Sequence, residues 1–576
     1  MAITWSEIRR WDPANLNTAV EDLTNSRKKL MEEADEAASA KGRVQSSGAA
    51  VTAMLTSLGS LNELLDAIVN EVSELIMATA EAATGVWDVK TKVFKCTSFL
   101  EQCPDLSIGE DGQVTGPFSD AMDKDHLEKL IKKAIERAVE VDNDYAKRLR
   151  AVANGRYVCK ETAASDSQGL PDLPQKGWSP TEAAAWWGAL TGAERRKLIK
   201  NHPEAIGNLD GLPGSVRDEA NRIILRTILP KKLEAAKKHL KEAQKEFDAE
   251  QKIIDGINSG PKGKNSHTDA VLEARRRVED LTKLNELVSA GGKSRHHYQL
   301  LTLEVPERYD KDVKAVVAVG DIDKATNVGT MVPGIGNTVR KGMDGMLDTA
   351  EKLRAKAGAP DKTAVVAWLG YDTPPGPLVW DYDANGSDTD YMTTEVADKA
   401  APALNRFQEG IHVSHQKQGV DPYLSLHGHS YGSTLSGTAL LNTKVGVVDA
   451  AQLHGSPGGR ATNAHQWNVP YGHMYAAANG DDDILGKGQL NGFGPEPSKV
   501  PGVQKISSDP DGGHSDYWSN PEFMEDAAQI MAGEDPSVDR SDNAAEASAQ
   551  CAAKDPNGAQ GASGPRLRPA GTGWGS

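Results

Sequence analysis

From about residue 295 the chain breaks into short apolar runs separated by Gly-rich loops and helix-compatible stretches, and this alternation restricts the fold more than any other feature. The runs are Tyr298–Val305, Ala315–Gly320, Gly329–Val332, Ala364–Leu369, Tyr423–Leu426, Val445–Ala450, His473–Ala477 and Val503–Ser507. A strand with one wet face alternates apolar and polar residues. Several of these runs are apolar throughout, so both of their faces must be covered, as in a mostly parallel sheet between helical layers. The expectation for residues 295–535 is one α/β domain.

The preceding residues read differently. Residues 16–45 and 50–84 are rich in Ala, Leu, Glu and Lys and suit a long helical hairpin turning around Ser46–Gly48, with a third helix over about 119–153; together they make a helical unit over 1–153. Ser179-Pro180-Thr181-Glu182 has a capping serine, proline at the first helical position and a glutamate able to reach back to the serine N–H; Thr191 to Glu194 repeats the box. Trp186 and Trp187 then face a small core. From Pro230, Leu233, Ala236, Leu240, Ala243, Phe247 and Ile254 recur at spacings that fall on one stripe, and Val271, Val278, Leu281 and Val288 make a second. Two such stripes joined by the Gly- and Lys-rich Gly256–Asn265 predict an antiparallel coiled-coil hairpin within a helical segment 175–294, serving as a spacer or as an arm for a protein partner. The Ala/Gly/Ser/Pro-rich residues 536–576 predict a disordered tail.

A net charge of −17 argues against nucleic-acid binding, which needs a clustered positive surface; Arg275, Arg276 and Arg277 read as a solvated helix face. No transmembrane span is expected: the apolar stretch from Leu64 to Met77 is interrupted by Asp66, Glu71 and Glu74. The opening residues Trp5, Glu7, Arg9, Arg10 and Asp12 lack the apolar core of a signal peptide, which predicts a cytoplasmic protein or one exported by a signal-peptide-independent route. Cys96, Cys103, Cys159 and Cys551 are too few for a disulfide framework; Cys96 and Cys103 are near enough in sequence to pair or to stay as thiols.

Chemistry concentrates in Gly428-His429-Ser430-Tyr431-Gly432. The motif follows the apolar run Tyr423-Leu424-Ser425-Leu426 and precedes the helix-compatible Ser433 to Leu441. In a strand–turn–helix elbow the flanking glycines permit a tight turn, the serine hydroxyl is lifted clear of the sheet, and the next backbone N–H, that of Tyr431, points at a developing oxyanion. A serine hydroxyl is a weak nucleophile and needs a base. His514, in Asp511-Gly512-Gly513-His514-Ser515-Asp516, is the single histidine beyond the aspartate cluster and follows the last expected strand. The acid belongs after the penultimate strand, in Asp481-Asp482-Asp483-Ile484; Asp482 is the choice and Asp483 the alternative. The second oxyanion donor falls in Met331-Val332-Pro333-Gly334-Ile335-Gly336-Asn337, at the Ile335 N–H, with Gly336 as the alternative. The adjacent prolines within Tyr371–Trp380 suit a pocket mouth.

A metal reading competes, since His427-Gly428-His429 has the HxH spacing of some zinc hydrolases. Those sites also need an Asp and a His shortly afterwards, where this chain has Tyr431 and Gly432. The triad reading requires neither metal nor cofactor.

Several motifs together resemble an uncharacterised actinobacterial α/β-hydrolase family. They are Trp186-Trp187, the run Ile206–Pro213, Arg217-Asp218, Ala220-Asn221-Arg222, Val332-Pro333-Gly334, Gly370–Pro374, Gly428–Gly432, Gly455–Gly458 and Gly513-His514-Ser515, spread over about 180 to 530. The resemblance implies an α/β-hydrolase fold and a serine hydrolase of unassigned substrate. Members often carry an N-terminal helical region similar to type VII (ESX) secretion substrates of the WxG class. Trp5 and Trp11 fit the opening of such a region; Gly85-Val86-Trp87 has the reverse order of the WxG turn, and Tyr145 is followed four residues later by Leu149 rather than by an acid. The resulting expectation is a serine esterase acting on a small-molecule or lipid acyl ester. The rival is a helical interaction or effector protein whose hydrolase domain is degenerate, with the N-terminal helices as its partner surface.

Overall fold

The computed structural model describes residues 3–117, 121–155, 170–256, 265–291, 298–374 and 390–537. The expected tail beyond 537, the tip 257–264 of the helical hairpin and residues 375–380 of the expected pocket mouth lie outside the described residues.

The chain opens with α1 (Trp5–Ile8), α2 (Pro13–Arg43) and α3 (Ala49–Glu101), a short ribbon of β1 (Ser107–Ile108) and β2 (Val114–Thr115), and α4 (Ala121–Ala153). α2 and α3 form the expected hairpin, but α3 runs well past residue 84. Its second half is Ala-rich and buried from Val69 onward, so packing carries the helix where composition alone suggested a stop. Cys96 is a buried free thiol, so the local Cys96–Cys103 bond is not formed.

Next come α5 (Pro180–Ala189), α6 (Gly192–Asn201), α7 (Pro203–Gly207), α8 (Gly214–Thr227), α9 (Leu229–Asp255) and α10 (Thr268–Gly291). Both capping boxes form: Glu182 N donates to Ser179 Oγ at 3.2 Å and Ser179 N to the Glu182 carboxylate at 2.9 Å. The Thr191–Glu194 pair has matching distances of 3.2 and 2.7 Å. Trp186 is fully buried, its indole N–H donating to Pro171 O at 2.8 Å. α9 and α10 lie antiparallel. Asn265, just before α10, donates to Phe247 O near the end of α9 at 2.9 Å, while Leu281 and Leu284 share a core with Leu229 and Ala236 at its start.

The remainder is β3 (Tyr298–Glu304), β4 (Lys314–Val319), β5 (Asn327–Val332), α11 (Met343–Lys356), β6 (Thr363–Leu369), α12 (Glu395–Gln416), β7 (Tyr423–His429), α13 (Tyr431–Leu440), β8 (Ala450–His454), β9 (Met474–Ala477), β10 (Gln504–Lys505) and α14 (Pro521–Ala532). The eight strands β3 to β10 form one sheet in the order β10-β9-β8-β7-β5-β6-β4-β3. It is parallel from β10 to β6; β4 pairs antiparallel with both β6 and β3. The continuous apolar runs are explained by the two cores. Ala364, Val366 and Trp368 of β6 face the layer of α12 and α13, and Val365, Ala367 and Leu369 face the layer of α11 and α14.

The sequence expectation for Val445–Ala450 is corrected: the strand is Ala450–His454. Val447 and Val448 are buried, but in the turn that leads into it, and Asp449 pairs with the start of β7 through its own N–H (2.8 Å to Leu424 O) and its carboxylate (2.7 Å from Leu424 N). The helical region docks on the loop that follows α13. Trp87 Nε1 donates to Val445 O at 2.9 Å, Val445 N to Thr91 Oγ1 at 3.1 Å, and Lys95 Nζ to Leu441 O, the C-cap of α13, at 2.7 Å. No helix among the described residues is long and apolar enough to cross a membrane.

Candidate active site

Neighbouring parallel strands β5 and β7 place Val332 opposite Gly428, so the loops leaving their C-terminal ends emerge side by side. The turn out of β7 is strained at one residue. Ser430 has φ 55° and ψ −131°, and among the described residues it shares a positive φ outside glycine with Arg460 alone. Two glycines make this turn possible. A Cβ on Gly432 would lie 2.3 Å from Val332 O, and one on Gly334 would lie 2.5 Å from Ser430 Cβ. Ser430 N donates to His454 O at 3.1 Å, which ties the elbow to the adjacent strand.

The loops that carry Asp482 and His514 leave the same rim, after β9 and β10. His514 Nε2 lies 2.9 Å from Ser430 Oγ, and its Nδ1 lies 2.9 and 3.1 Å from the two carboxylate oxygens of Asp482. The three adjacent aspartates separate cleanly. Asp482 is buried, whereas Asp481 and Asp483 are exposed, Asp483 pairing with Lys487 at 3.0 Å. Asp482 also accepts from Ile484 N at 2.9 Å and from the Tyr517 hydroxyl at 2.8 Å. Burial opposes its charge, but the hydrogen bonds from His514, Ile484 N and Tyr517 outweigh burial and hold the carboxyl below its usual range. A carboxylate at Nδ1 selects the tautomer that leaves Nε2 with a lone pair toward the serine hydroxyl.

Of the two expected oxyanion donors, Tyr431 is the first residue of α13, with its amide at the positive end of the helix. Its ring is anchored away from the serine. The hydroxyl donates to Thr393 O at 2.8 Å and accepts from Ala397 N at 3.2 Å. Ile335 lies in the loop after β5, and among the described residues its N–H has no backbone partner. The Gly336 N–H is committed to Pro374 O at 2.9 Å. Asn337 Nδ2 braces the loop through Gly334 O and Ile335 O at 3.1 and 3.2 Å, and the buried Tyr371 hydroxyl donates to Pro333 O at 2.7 Å.

The HxH pair diverges. His427 lies between Gln452 and Ser425, whereas His429 Nε2 meets the carbonyl of His514 at 3.0 Å. Burial lowers both rings to about 4, so both are neutral at physiological pH. Among the described residues no group of three or more His, Cys, Asp or Glu side chains is placed to hold a metal ion.

Sequence reasoning missed Tyr517 and Asn479. Asn479 N donates to the Tyr517 hydroxyl at 2.9 Å, and Asn479 Nδ2 donates to Gly513 O at 3.0 Å, linking the loop of Asp482 to the loop of His514. Burial and then the neighbouring Asp482 carboxylate push the Tyr517 phenol up, so it stays a neutral donor. Asn479 opens the aspartate loop and was open to suspicion on that ground; nothing in the sequence distinguishes Tyr517.

A family profile described as "Alpha/beta hydrolase" matches residues 309–491. The uncharacterized protein Mb0988c of Mycobacterium bovis is 33% identical over 207 residues, covering 34% of this chain and 72% of that protein. The uncharacterized protein Rv2079 of Mycobacterium tuberculosis is 29% identical over 324 residues, which is 55% of this chain but 46% of the relative, so the chain spans about half the length of that relative. An esterase from Pyrobaculum calidifontis aligns over 46% of this chain and 92% of its own at 14% identity, with a TM-score of 0.27. The chain belongs to the family of the Mycobacterium bovis protein, and its residues 309–491 carry the alpha/beta hydrolase match.

Proposed function

We propose that this protein is a serine hydrolase that cleaves an ester or related acyl bond. The observation that carries this reading is the chain of contacts from Ser430 Oγ through His514 to Asp482, at 2.9 Å on either side of the imidazole. In it Ser430 attacks the acyl carbon while His514 takes its proton. The Ile335 and Tyr431 N–H groups receive the oxyanion, and His514 returns the proton to the leaving group. The same imidazole then activates water against the acyl-enzyme, with Asp482 stabilising the imidazolium at each stage. The expected substrate is a small-molecule or lipid acyl ester. We further read residues 295–535 as the catalytic domain and α9–α10 as a coiled-coil hairpin carried on it.

A fluorophosphonate probe tests the reading directly. Wild-type protein should be labelled and Ser430→Ala should not, with His514→Gln labelled at least about 100-fold more slowly. An unlabelled wild-type protein would favour the rival of a degenerate hydrolase domain. A chain-length series of p-nitrophenyl esters then reads the acyl preference.

A further inference from the structure

Three successive carbonyls of the base loop each receive a hydrogen bond. Gly512 O accepts from Asp481 N at 3.1 Å and Gly513 O from Asn479 Nδ2 at 3.0 Å, both from the acid loop. The third, His514 O, accepts from His429 Nε2 at 3.0 Å. His429 precedes Ser430 and ends the strand that carries it, so this third bond joins the backbone of the base to the nucleophile's own strand. A carbonyl only accepts, which assigns the Nε2–H tautomer to His429.

The rings are stacked as well. The His429 and His514 centroids are 4.9 Å apart with 30° between planes, and the His429 and His454 centroids are 5.1 Å apart with 26° between planes. His454 is fully buried and neither of its ring nitrogens has a hydrogen-bond partner among the described residues. Trp518 and Phe523 close on it edgewise at 4.8 and 4.9 Å. A buried imidazole with both nitrogens orphaned is costly. Its ring fills the space beside His429.

We propose that His429 is a positioning residue that sets the base-to-nucleophile distance, tying the His514 backbone to β7 by one hydrogen bond and presenting a ring face under the His514 imidazole. This inference rests on the serine hydrolase reading. When His514 carries the serine proton, the ring stacked against it is the neutral imidazole that burial maintains, so no second positive charge meets the one that forms. Two cations stacked there would oppose the proton transfer.

The test uses the full chain and compares His429→Leu, which keeps the bulk and loses the donor, with His429→Gln, whose amide nitrogen reaches a similar point. On an ester that wild-type protein turns over, His429→Leu should lose about 100-fold in kcat with KM held within about twofold, the size expected for a base displaced by an ångström or less. His429→Gln should recover about tenfold of that loss. Selective 15N-histidine labelling should show residue 429 neutral and protonated on Nε2 from about pH 5 to 9. Wild-type kcat in His429→Leu, no recovery in His429→Gln, or an Nδ1–H tautomer would each overturn the proposal. If thermal unfolding shows that His429→Leu does not fold, His429→Asn, polar but too short to reach, takes its place with the same expectation. Failure of the hydrolase reading looks different: neither labelling nor turnover in the wild-type protein.

Discussion

At the scale of single residues, the elbow depends on a lack of space: Gly334→Ala would drive a methyl to within 2.5 Å of Ser430 Cβ, so it should abolish fluorophosphonate labelling while circular dichroism still reports a folded protein. The elbow could be read because an apolar run precedes the five letters and a helix-compatible stretch follows them, and Gly432, which has no room for a Cβ against Val332 O, is a residue that such a turn requires. Asp482 is the choice from sequence, with Asp483 as the alternative; the burial that sets it apart from both neighbours is a property of the folded loop and was not legible. Tyr517 was invisible because its bond to Asp482 joins two loops that only the folded sheet brings together. Tyr517→Phe keeps the ring packing but strips Asp482 of a donor and leaves the buried Asn479 N–H without its acceptor. It should cost about 1–3 kcal/mol in denaturant unfolding and lower kcat about tenfold; wild-type values in both would show the hydroxyl to be idle.

At the scale of elements, the strand β8 shows why propensity misled. Its sequence, Ala-Ala-Gln-Leu-His, has no β-branched residue, while the Val-rich segment just before it reads as strand and forms a turn. Position between β7 and β9, with backbone ladders on either side, decides the conformation, and tertiary context overrides a weak intrinsic preference. The lead-in to that strand carries a pH signature. Burial raises Asp449 to about 7, reinforced by Asp421, against the opposing hydrogen bond from Leu424 N. A carboxyl whose folded value lies above its unfolded one favours folding while protonated. That contribution is complete below about pH 4 and is lost as the pH rises through about 7. Asp449→Asn keeps an acceptor for Leu424 N and cannot ionise, so its melting temperature should gain on wild type progressively between pH 4 and 7 and run parallel above that. A constant offset at every pH would refute the assignment. The dock between α3 and the loop after α13 is a second element-scale joint. Trp87→Ala removes a buried indole, its bond to Val445 O and its stacking beneath Lys444, and should cost about 3–5 kcal/mol in denaturant unfolding.

At the scale of the whole molecule, the two-layer cover of the sheet was readable from unbroken apolar runs, whereas the reach of the helical region onto the sheet domain was not. Trp87 and Ala184 belong to the same core as α12 and α13, so the helices are built into the hydrolase fold through their inner halves. The outer part of the hairpin is different in kind. On α2 no residue beyond Ala34 is buried, and on α3 none before Val69 is, because two helices meeting only each other leave most of their surface wet. Met54, Leu61 and Leu64 are exposed there. Hydrophobic burial scales with area removed from water, so this outer segment contributes little to stability while the inner halves contribute much. Excising residues 38–64 and joining the ends with a short Gly/Ser linker should therefore leave the melting temperature within a few degrees of wild type and labelling of Ser430 unchanged. Excising 1–153, which removes Trp87 and uncovers the loop it docks on and the buried face of α5, should give aggregated or protease-sensitive protein. If the short excision unfolds the chain as thoroughly as the long one, the outer hairpin bears stability that its exposure does not reveal, and the division of this helical region into an anchored half and a free half is wrong.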